Sequence, residues 1–555
     1  MPGAHQNGES ESGDSGTKHN SVHKNGWRLV EDERVYTKRT ADRGNGLFAV
    51  DDIAAKSQLL FVARPLLVAL ENAKLPTNCY HCFRSPGDQG LWQMTERKED
   101  SLKTCSRCKV AKFCDQASFG LKCQTEAWSQ YHRLECKLFS RLYPRVLPST
   151  VRAVIRLLKQ HKAGILPPGE WEQLLALQSH QQDLANAGGQ RWQDLLIMSQ
   201  GIKGYSGTDE DDDLILRLSC AVVVNSFTLS NATFDSIGVI LHPKPALLNH
   251  SCDPNAYVRF DVSETDTLGS ISIHALRDIA KDEEITISYI DTTVPCKRRQ
   301  QQLSERYFFT CQCHLCASPD DTPQDGYYWP ALGTSASSAS PSIPILRQKG
   351  DEAEAILHRV REHPGLEYEH LGEIRAAMKQ LAQTGAWPLH RYPWLPLRQR
   401  LQYGLLGAGR FPEAMLQAAV FVRFINPIHF KQEYHPLRLT GMWTFWIIAR
   451  HCLEEIMYQD KPSDQGGRDM RALGLLTCVV IDHIHQIAEG MPEPRGQLER
   501  IIDQAFQEVQ QEGGFWAEYW SNRPAGRKAA WSWLDDQIRA LLKAEGVSQE
   551  IINSL

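Results

Sequence analysis

The sequence lacks the features that mark a membrane protein, a secreted protein or a general nucleic-acid binder. No apolar run approaches the ~20 residues that a bilayer-spanning helix needs. The polar start, Met1 to Lys24, has no apolar segment of the kind found in secretory signals. The 61 Lys and Arg residues are outnumbered by 66 Asp and Glu, which argues against direct nucleic-acid binding. We therefore expect no membrane partner and a cytoplasmic or nuclear location, or both.

The composition is that of an ordinary globular chain. The apolar share is 42% and the charged share is 23% of the 555 residues. A chain of this length predicts about two to four domains.

Eleven of the fifteen cysteines form two groups whose spacing is typical of metal ligands. The first group comprises Cys79, Cys82, Cys105, Cys108, Cys114, Cys123, His132 and Cys136. The second comprises Cys311, Cys313 and Cys316, with Cys252 upstream. Disulfides are the alternative, but a large chain without a secretory signal favours reduced thiols and therefore metal. The other cysteines (Cys220, Cys296, Cys452 and Cys478) are interpreted as buried spectators.

Hydrophobic periodicity divides the chain into strand-rich and helical stretches. Leu59–Val62, Ser270–Ile273 and Ile285–Tyr289 predict strands, the last two half-buried because apolar and polar residues alternate. The helical stretch from 147 to 235 contains an acidic run, Asp209–Asp213, which is a solvated loop or a partner-binding segment. The last ~210 residues are helical throughout and faintly resemble tetratricopeptide repeats without a clean period.

Two short motifs are weak signals when each is taken alone. In Arg43–Ala49 the glycines on either side of Asn45 allow a close backbone approach to a ligand, but a plain β-turn explains them equally well. In Asn249–Cys252 the histidine is explained equally well as a buried, hydrogen-bonded core residue. The order of these motifs along the chain carries more information than either motif does.

Because its motifs follow one another along the chain as they do in the SET-and-MYND family of protein-lysine methyltransferases, the chain resembles that family. The resemblance spans about residues 27–316, and its combination of motifs is highly specific. The matching stretches are Arg43–Ala49, Asn225–Phe227, Leu247–Cys252, Ile285–Tyr289 and Cys311–Cys316.

The resemblance implies an α+β fold: a SET-domain β-fold interrupted by a MYND zinc finger, with a post-SET zinc cluster and an α-helical, tetratricopeptide-like C-terminal domain. The implied segments are a disordered tail (1–26), the first SET part (27–78), the MYND finger (79–136), a helical insert (137–235), the SET core (236–292), the post-SET motif (293–316), a linker (317–343) and the helical domain (344–555).

By the same resemblance the chain binds S-adenosylmethionine. The implied cofactor contacts are Arg43, Gly44, Asn45, Asn225, Asn249, His250, Tyr289 and Phe309. An aromatic face such as that of Phe309 suits packing on adenine, although core packing is the alternative for this residue.

Tyr289 is the predicted catalytic residue. Methyl transfer requires a neutral lysine amine, whose usual pKa is ~10.4, and a narrow apolar channel disfavours the ammonium form. A tyrosine hydroxyl at the base of the channel can position that amine. Tyr307 matches an aromatic that lines the channel. The alternative for Tyr289 is a core tyrosine at the end of a strand.

The resemblance also implies three structural zinc ions. The first is held by Cys79, Cys82, Cys114 and Cys123, the second by Cys105, Cys108, His132 and Cys136, and the third by Cys252, Cys311, Cys313 and Cys316. Three departures from the family are present in the finger. The gap from Cys82 to Cys105 is long, residues near Ala117–Gly120 are inserted, and Trp128-x3-His132 has one residue more than is usual.

The predicted function is methyl transfer from S-adenosylmethionine to lysine side chains of a histone or non-histone protein. The alternatives are an inactive adaptor and a transcriptional co-regulator. The resemblance further implies that the finger docks proline-rich peptides, with a purely structural insert as the alternative. The chain is expected to be a monomer.

Overall fold

The computed structural model describes residues 30–40, 43–85, 102–114, 123–262, 269–326, 342–457 and 464–555. Three predictions fall on other residues and lie outside the described part. They are the disordered tail (1–26), the insertion near Ala117–Gly120 and most of the linker (317–343).

The strands form small sheets gathered from distant parts of the chain. They are β1 (Val30–Glu31), β2 (Val35–Thr40), β3 (Gly44–Ala49), β4 (Gln58–Val62), β5 (Leu67–Leu70), β6 (Lys103–Thr104), β7 (Lys112–Phe113), β8 (Phe227–Ser230), β9 (Ser236–Leu241), β10 (Asn249–His250), β11 (Ala256–Asp261), β12 (Ser270–Ala275) and β13 (Glu284–Ile287). Their orders are β1-β4-β12-β11, β10-β13-β3-β2, β5-β9-β8 and β6-β7. All pairings are antiparallel except β10 with β13, which is parallel.

Strand β12 was predicted to be half-buried, and this prediction was wrong because all six of its residues are buried. On the face of the sheet that carries its polar residues, Ser272 is paired with Arg259 of β11. Arg259 in turn donates to the carbonyl oxygen of Pro494 in the C-terminal part. The second face of the sheet is therefore covered by the helical domain, which the alternation of residues in β12 did not reveal.

The sequence between the finger and β8 is helical, as expected, but the predicted insert also contains strand β8, because the helical run ends at Asn225. The helices from the last part of the finger up to β8 are Cys123–Ala127, Arg133–Leu142, Ser149–Lys162, Glu170–Leu175, Gln181–Ala187, Gly189–Ser206 and Asp212–Asn225, with a π-helix at Trp128–His132. The first part of the acidic run is a loop, and Asp211 caps the last helix by accepting from the backbone N–H of Leu214.

The finger shares one continuous apolar core with the β-sheets. Two arginines of the helix Ser149–Lys162 reinforce this junction. Arg152 donates to the carbonyl oxygen of Leu70 and Arg156 to that of Val68, both on edge strand β5. These bonds satisfy edge carbonyls that would otherwise be buried without a partner.

The C-terminal part is helical throughout its described residues and has a core of its own. Its α-helices are Ile343–Arg361, Leu371–Ala382, Trp394–Gly407, Phe411–Val420, Asn426–His429, Pro436–Met457, Asp464–Glu489, Gln497–Glu512, Phe515–Ser521, Arg523–Ala544 and Gln549–Ser554. Neighbouring helices in the sequence pack on each other, as in a helical array. Two shorter α-helices, Cys296–Tyr307 and His314–Ala317, precede this part. Within the described ranges, no helix has the length and apolar character to cross a membrane.

Candidate active site and zinc clusters

A cleft of about 1080 Å³ lies between the β-sheets and the helical C-terminal part. One wall carries the predicted cofactor and channel residues, and the other is formed by 429–432 and 435–437. All nine predicted residues line it: Arg43, Gly44, Asn45, Asn225, Asn249, His250, Tyr289, Tyr307 and Phe309. The structure thus brings together residues that are far apart in the sequence.

The glycine-rich turn opens strand β3. Gly44 has a φ of 72°, a left-handed conformation that favours glycine. A Cβ at Gly46 would lie 2.7 Å from Oε1 of Glu284 and 2.9 Å from Nδ2 of Asn249. Glycine is therefore required at 46 so that the turn can approach these two side chains.

Glu284 links two of the predicted cofactor residues and was not itself predicted as a site residue. Its Oε1 accepts from Nδ2 of Asn249 at 2.7 Å, and its Oε2 lies 3.1 Å from Nη1 of Arg43. Nδ2 of Asn249 also lies 3.4 Å from the carbonyl oxygen of Asn45. Glu284 therefore holds the turn and strand β10 together as one unit.

Asn225 is held by the loop that precedes the helix Gln181–Ala187. Its Nδ2 donates to the carbonyl oxygens of Gln178 and Ala221, each at 2.8 Å. Gln178 also lines the cleft and lies beside Gly44. Gln178 reaches the cleft only through the tertiary fold, and no sequence motif includes it.

His250 is a buried, neutral imidazole. Burial lowers its pKa to about 4. Its Nδ1 accepts the backbone N–H of Tyr289 at 3.0 Å, which leaves the proton on Nε2, 3.3 Å from Sγ of Cys252. His250 therefore connects Tyr289 to the third cysteine group.

Tyr289 lies two residues beyond the end of β13, so the predicted strand ends earlier than expected. Its hydroxyl donates to the carbonyl oxygen of Leu248, and burial raises its pKa, so the hydroxyl keeps its proton at neutral pH. The ring of Tyr307 lies 4.9 Å from that of Tyr289, and the ring of Phe309 lies 6.4 Å away, edge to face. The rings of Tyr289, Tyr307 and Phe309 thus form one aromatic group, next to the hydrogen bond from the Tyr289 hydroxyl to the carbonyl oxygen of Leu248.

The twelve predicted metal ligands fall into three groups of four. In each group the ligand atoms lie within 4.8 Å of one another. The groups are Cys79, Cys82, Cys114 and Cys123; Cys105, Cys108, His132 and Cys136; and Cys252, Cys311, Cys313 and Cys316.

The donor sets fit tetrahedral zinc. Zn–S bonds of ~2.3 Å place two sulfurs about 3.8 Å apart. Sγ of Cys105 lies 3.8 Å from that of Cys136, and Sγ of Cys252 lies 3.6 Å from that of Cys316. Four ligands per group would close each site, so a zinc ion held there would be structural and would leave no open position for a substrate.

The extra residue between Trp128 and His132 is accommodated by the π-helix at Trp128–His132. A π-turn takes up one added residue within a helix. His132 consequently still points its Nε2 at the second group, 3.5 Å from Sγ of Cys105. Its Nδ1 lies 3.6 Å from Glu135, which Arg156 holds by an ion pair. The departure therefore leaves the ligand in place.

Comparison with known proteins agrees with this geometry. The family model for the SET domain matches residues 44–290. The chain is 28% identical over 405 residues to "SET domain and MYND-type zinc finger protein 6" of Schizosaccharomyces pombe, covering 71% of this chain and 69% of that protein. It is 32% identical over 299 residues to human "Histone-lysine N-methyltransferase SMYD3", covering 52% of this chain and 63% of that one. It is 30% identical over 286 residues to human "N-lysine methyltransferase SMYD2", covering 50% and 59%.

A solved SET domain, that of LSMT bound to lysine and AdoHcy, matches 89% of this chain and 88% of its own, at 13% identity and a TM-score of 0.23.

The interrupted β-sheets, the cleft and the sequence match define a SET-domain protein. Added to these are the three zinc-compatible groups and the relative of Schizosaccharomyces pombe whose name joins a SET domain to a MYND-type zinc finger. The chain is similar to members of the SET-and-MYND family, in agreement with the predicted family and fold class. It spans 63% and 59% of the two human relatives' lengths.

Proposed function

We propose that the protein transfers methyl groups from S-adenosylmethionine to lysine side chains of other proteins. The observation that supports this most directly is the convergence of nine predicted residues on one cleft. When bound, S-adenosylmethionine supplies the electrophilic methyl group. Arg43, Asn45, Asn225, Asn249, His250 and Phe309 are the residues that would hold it.

Tyr289 positions the lysine amine in this proposal. Because its hydroxyl donates to the carbonyl oxygen of Leu248, its oxygen lone pairs remain free to accept an amine N–H. Its raised pKa excludes tyrosinate as the base at neutral pH. The amine therefore loses its proton to water on entry, and the surrounding rings of Tyr307 and Phe309 disfavour the charged form.

The three zinc groups support the site by fixing geometry. The third group pins the segment after Phe309 to Cys252, directly behind the imidazole of His250. Metal binding at such sites is coupled to folding. We infer that the cofactor wall depends on this ion.

The finger is proposed to dock proline-rich peptides. Trp128 is 43% exposed on its surface, and its ring lies 5.9 Å from that of His132. An exposed aromatic ring suits packing against proline. We also propose that the chain is a monomer located in the cytoplasm, the nucleus or both, in keeping with its free cysteines.

The test is isothermal titration of the zinc-loaded chain with S-adenosylmethionine, run beside Asn249→Ala. Binding by the parent chain that is lost in Asn249→Ala supports a working methyl-donor site. No binding by either chain would favour the inactive adaptor instead.

A further inference from the structure

The cleft carries more cationic than anionic side chains along its lining. Its charged lining residues are Arg43, Arg277, Arg306 and Lys431 against Asp253 and Asp291. Arg43 and Arg277 are each paired with a glutamate, Glu284 and Glu283. Arg306 and Lys431 are the other two cations of the lining.

Arg306 lies on the wall beside the predicted lysine channel. Its guanidinium lies 5.5 Å from the ring centre of Tyr307. Arg191 approaches from behind and donates to the carbonyl oxygens of Glu305 at 2.8 Å and Arg306 at 3.5 Å. Burial and the charge of Arg306 lower the pKa of Arg191. The neighbouring Glu305 accepts from Gln301 at 2.8 Å.

Lys431 repeats this arrangement on the opposite wall. It is exposed, and its carbonyl oxygen accepts from Nη1 of Arg438 at 3.0 Å. Arg438 also donates to the carbonyl oxygen of Phe430 at 3.2 Å. On each wall, then, one cation lines the cleft and the side chain of a second donates to the backbone around the first. Arg191 donates beside Arg306, and Arg438 donates beside Lys431.

None of these four cations has a carboxylate within ion-pair distance among the residues that the structure describes. Asp253 and Asp291 balance Arg306 and Lys431 over the cleft as a whole, so the attraction for an anionic group is local to the two cations. The two histidines of the opposite wall, His429 and His435, do not add charge at neutral pH because burial lowers their pKa.

We propose that the cleft selects target lysines flanked by acidic residues, which contact Arg306 on one wall and Lys431 on the other. The inference rests on the proposed lysine methylation and names its substrate class. A peptide is favoured over a nucleic acid because the aromatic rings of Tyr289, Tyr307 and Phe309 lie together in the cleft, and because the chain carries a net charge of −5.

The experiment measures binding of three labelled lysine-centred peptides that differ only in flanking Glu, Ser or Arg residues. Fluorescence anisotropy is recorded with zinc-loaded full chain saturated with S-adenosylhomocysteine, at low and high salt. We expect the Glu peptide to bind about ten-fold tighter than the Arg peptide at low salt, with the difference shrinking as salt rises.

Charge-reversal variants locate the effect. The double variant Arg306→Glu with Lys431→Glu should abolish or invert the preference. Lys297→Glu is the matched control for a single reversal, because Lys297 is exposed on the same helix as Arg306 but does not line the cleft. It should leave the preference unchanged.

Three results would overturn the inference. The first is equal or tighter binding of the Arg peptide, and the second is a preference that survives the double reversal. The third is displacement of the Glu peptide by a single-stranded oligonucleotide that loses affinity in the double variant. S-adenosylmethionine binding is measured in a separate titration. If the chain binds the methyl donor but shows no preference for the charge of the flanking residues, only the inference is refuted. Failure to bind the donor refutes the proposed function.

Discussion

At the scale of single residues, Glu284 organises the cofactor wall without being one of the predicted contacts. It accepts from Asn249 and pairs with Arg43, and Gly46 must lack a side chain for this arrangement to form. Its side chain is 18% exposed, so the ion pair with Arg43 is partly shielded from water. Glu284 is therefore a positioning residue for both ends of the turn.

We expect Glu284→Gln to weaken S-adenosylmethionine binding by about three- to ten-fold, because the amide loses the ion pair with Arg43 but keeps a hydrogen bond to Asn249. The KM for the methyl donor should rise more than kcat falls. Asp282→Asn is the control, since Asp282 accepts from Tyr36 and, among the residues that the structure describes, forms no hydrogen bond or ion pair with a predicted cofactor contact. Equal effects in both variants would show a general charge effect.

Tyr289→Phe removes one hydroxyl from the aromatic group. We expect kcat to fall by about 10²-fold or more while the affinity for S-adenosylmethionine and the melting temperature change little. Steady-state kinetics, calorimetry and thermal melting measure the three quantities. Tyr307→Phe is the comparison, because it loses only a 3.4 Å bond to the carbonyl oxygen of Tyr289. A large fall in melting temperature would instead identify Tyr289 as a core residue.

Residue types and their order predicted the nine cleft residues, and the structure places all nine in one cleft, although their individual roles stay predictions. Glu284, Gln178 and Arg306 were not predicted because their importance comes from neighbours far along the chain. Arg43 and Glu284, for example, are 241 residues apart. Local pattern carries no information on such a pair.

At the scale of elements, the wider turn of a π-helix lets His132 remain in position as a ligand of the second group. A five-residue π-helix absorbs the one residue by which Trp128-x3-His132 exceeds the family spacing. The sequence revealed the irregular spacing but not its structural solution. Similarly, the alternation in β12 predicted a strand correctly and its exposure wrongly, because burial of the second face depends on helices that follow more than 200 residues later.

Removal of one ligand from the third cysteine group tests its coupling to the cofactor wall. We expect Cys316→Ser to lower the zinc content from three ions to two per chain and to weaken S-adenosylmethionine binding. Elemental analysis and calorimetry provide the measurements. Cys296→Ser is the matched control, since Cys296 is half-buried beside the carbonyl oxygen of Cys316 but is not in the group of four. Three retained zinc ions in Cys316→Ser would contradict the four-cysteine site.

At the scale of the whole molecule, the β-sheets and the helical part meet at a junction that contains buried charge. Arg259 and Asp261 on β11 form an ion pair at 3.1 Å, and Asp261 also accepts the backbone N–H of Gln497. Glu499 is buried next to them and is only 6% exposed. Burial, which Arg259 only partly offsets, raises the pKa of Glu499.

This junction predicts a pH dependence of stability. Because the folded pKa of Glu499 lies above the unfolded value of about 4.3, folding binds a proton, and the associated stabilisation is lost as pH rises through the folded pKa. Glu499→Gln should therefore raise the melting temperature at pH 7 to 8 and have little effect near pH 4.

Thermal melting across this pH range measures the difference. Glu550→Gln, at an exposed carboxylate in the last helix, is the control and should leave the curve unchanged. A variant of Glu499 that is less stable than the parent chain at every pH would show that the carboxylate is needed in its charged form.

The pairing of β3 with β13 has a consequence for how the protein is made. During synthesis the glycine-rich turn emerges 241 residues before the glutamate that secures it. At ~5–20 residues per second this separation corresponds to about 10–50 s of translation. Throughout that interval β2 and β3 form a hairpin whose outer edge has no partner strand, and the finger is completed within it, once Cys136 has emerged. The nascent chain therefore acquires its metal-binding module before its methyl-donor pocket can exist.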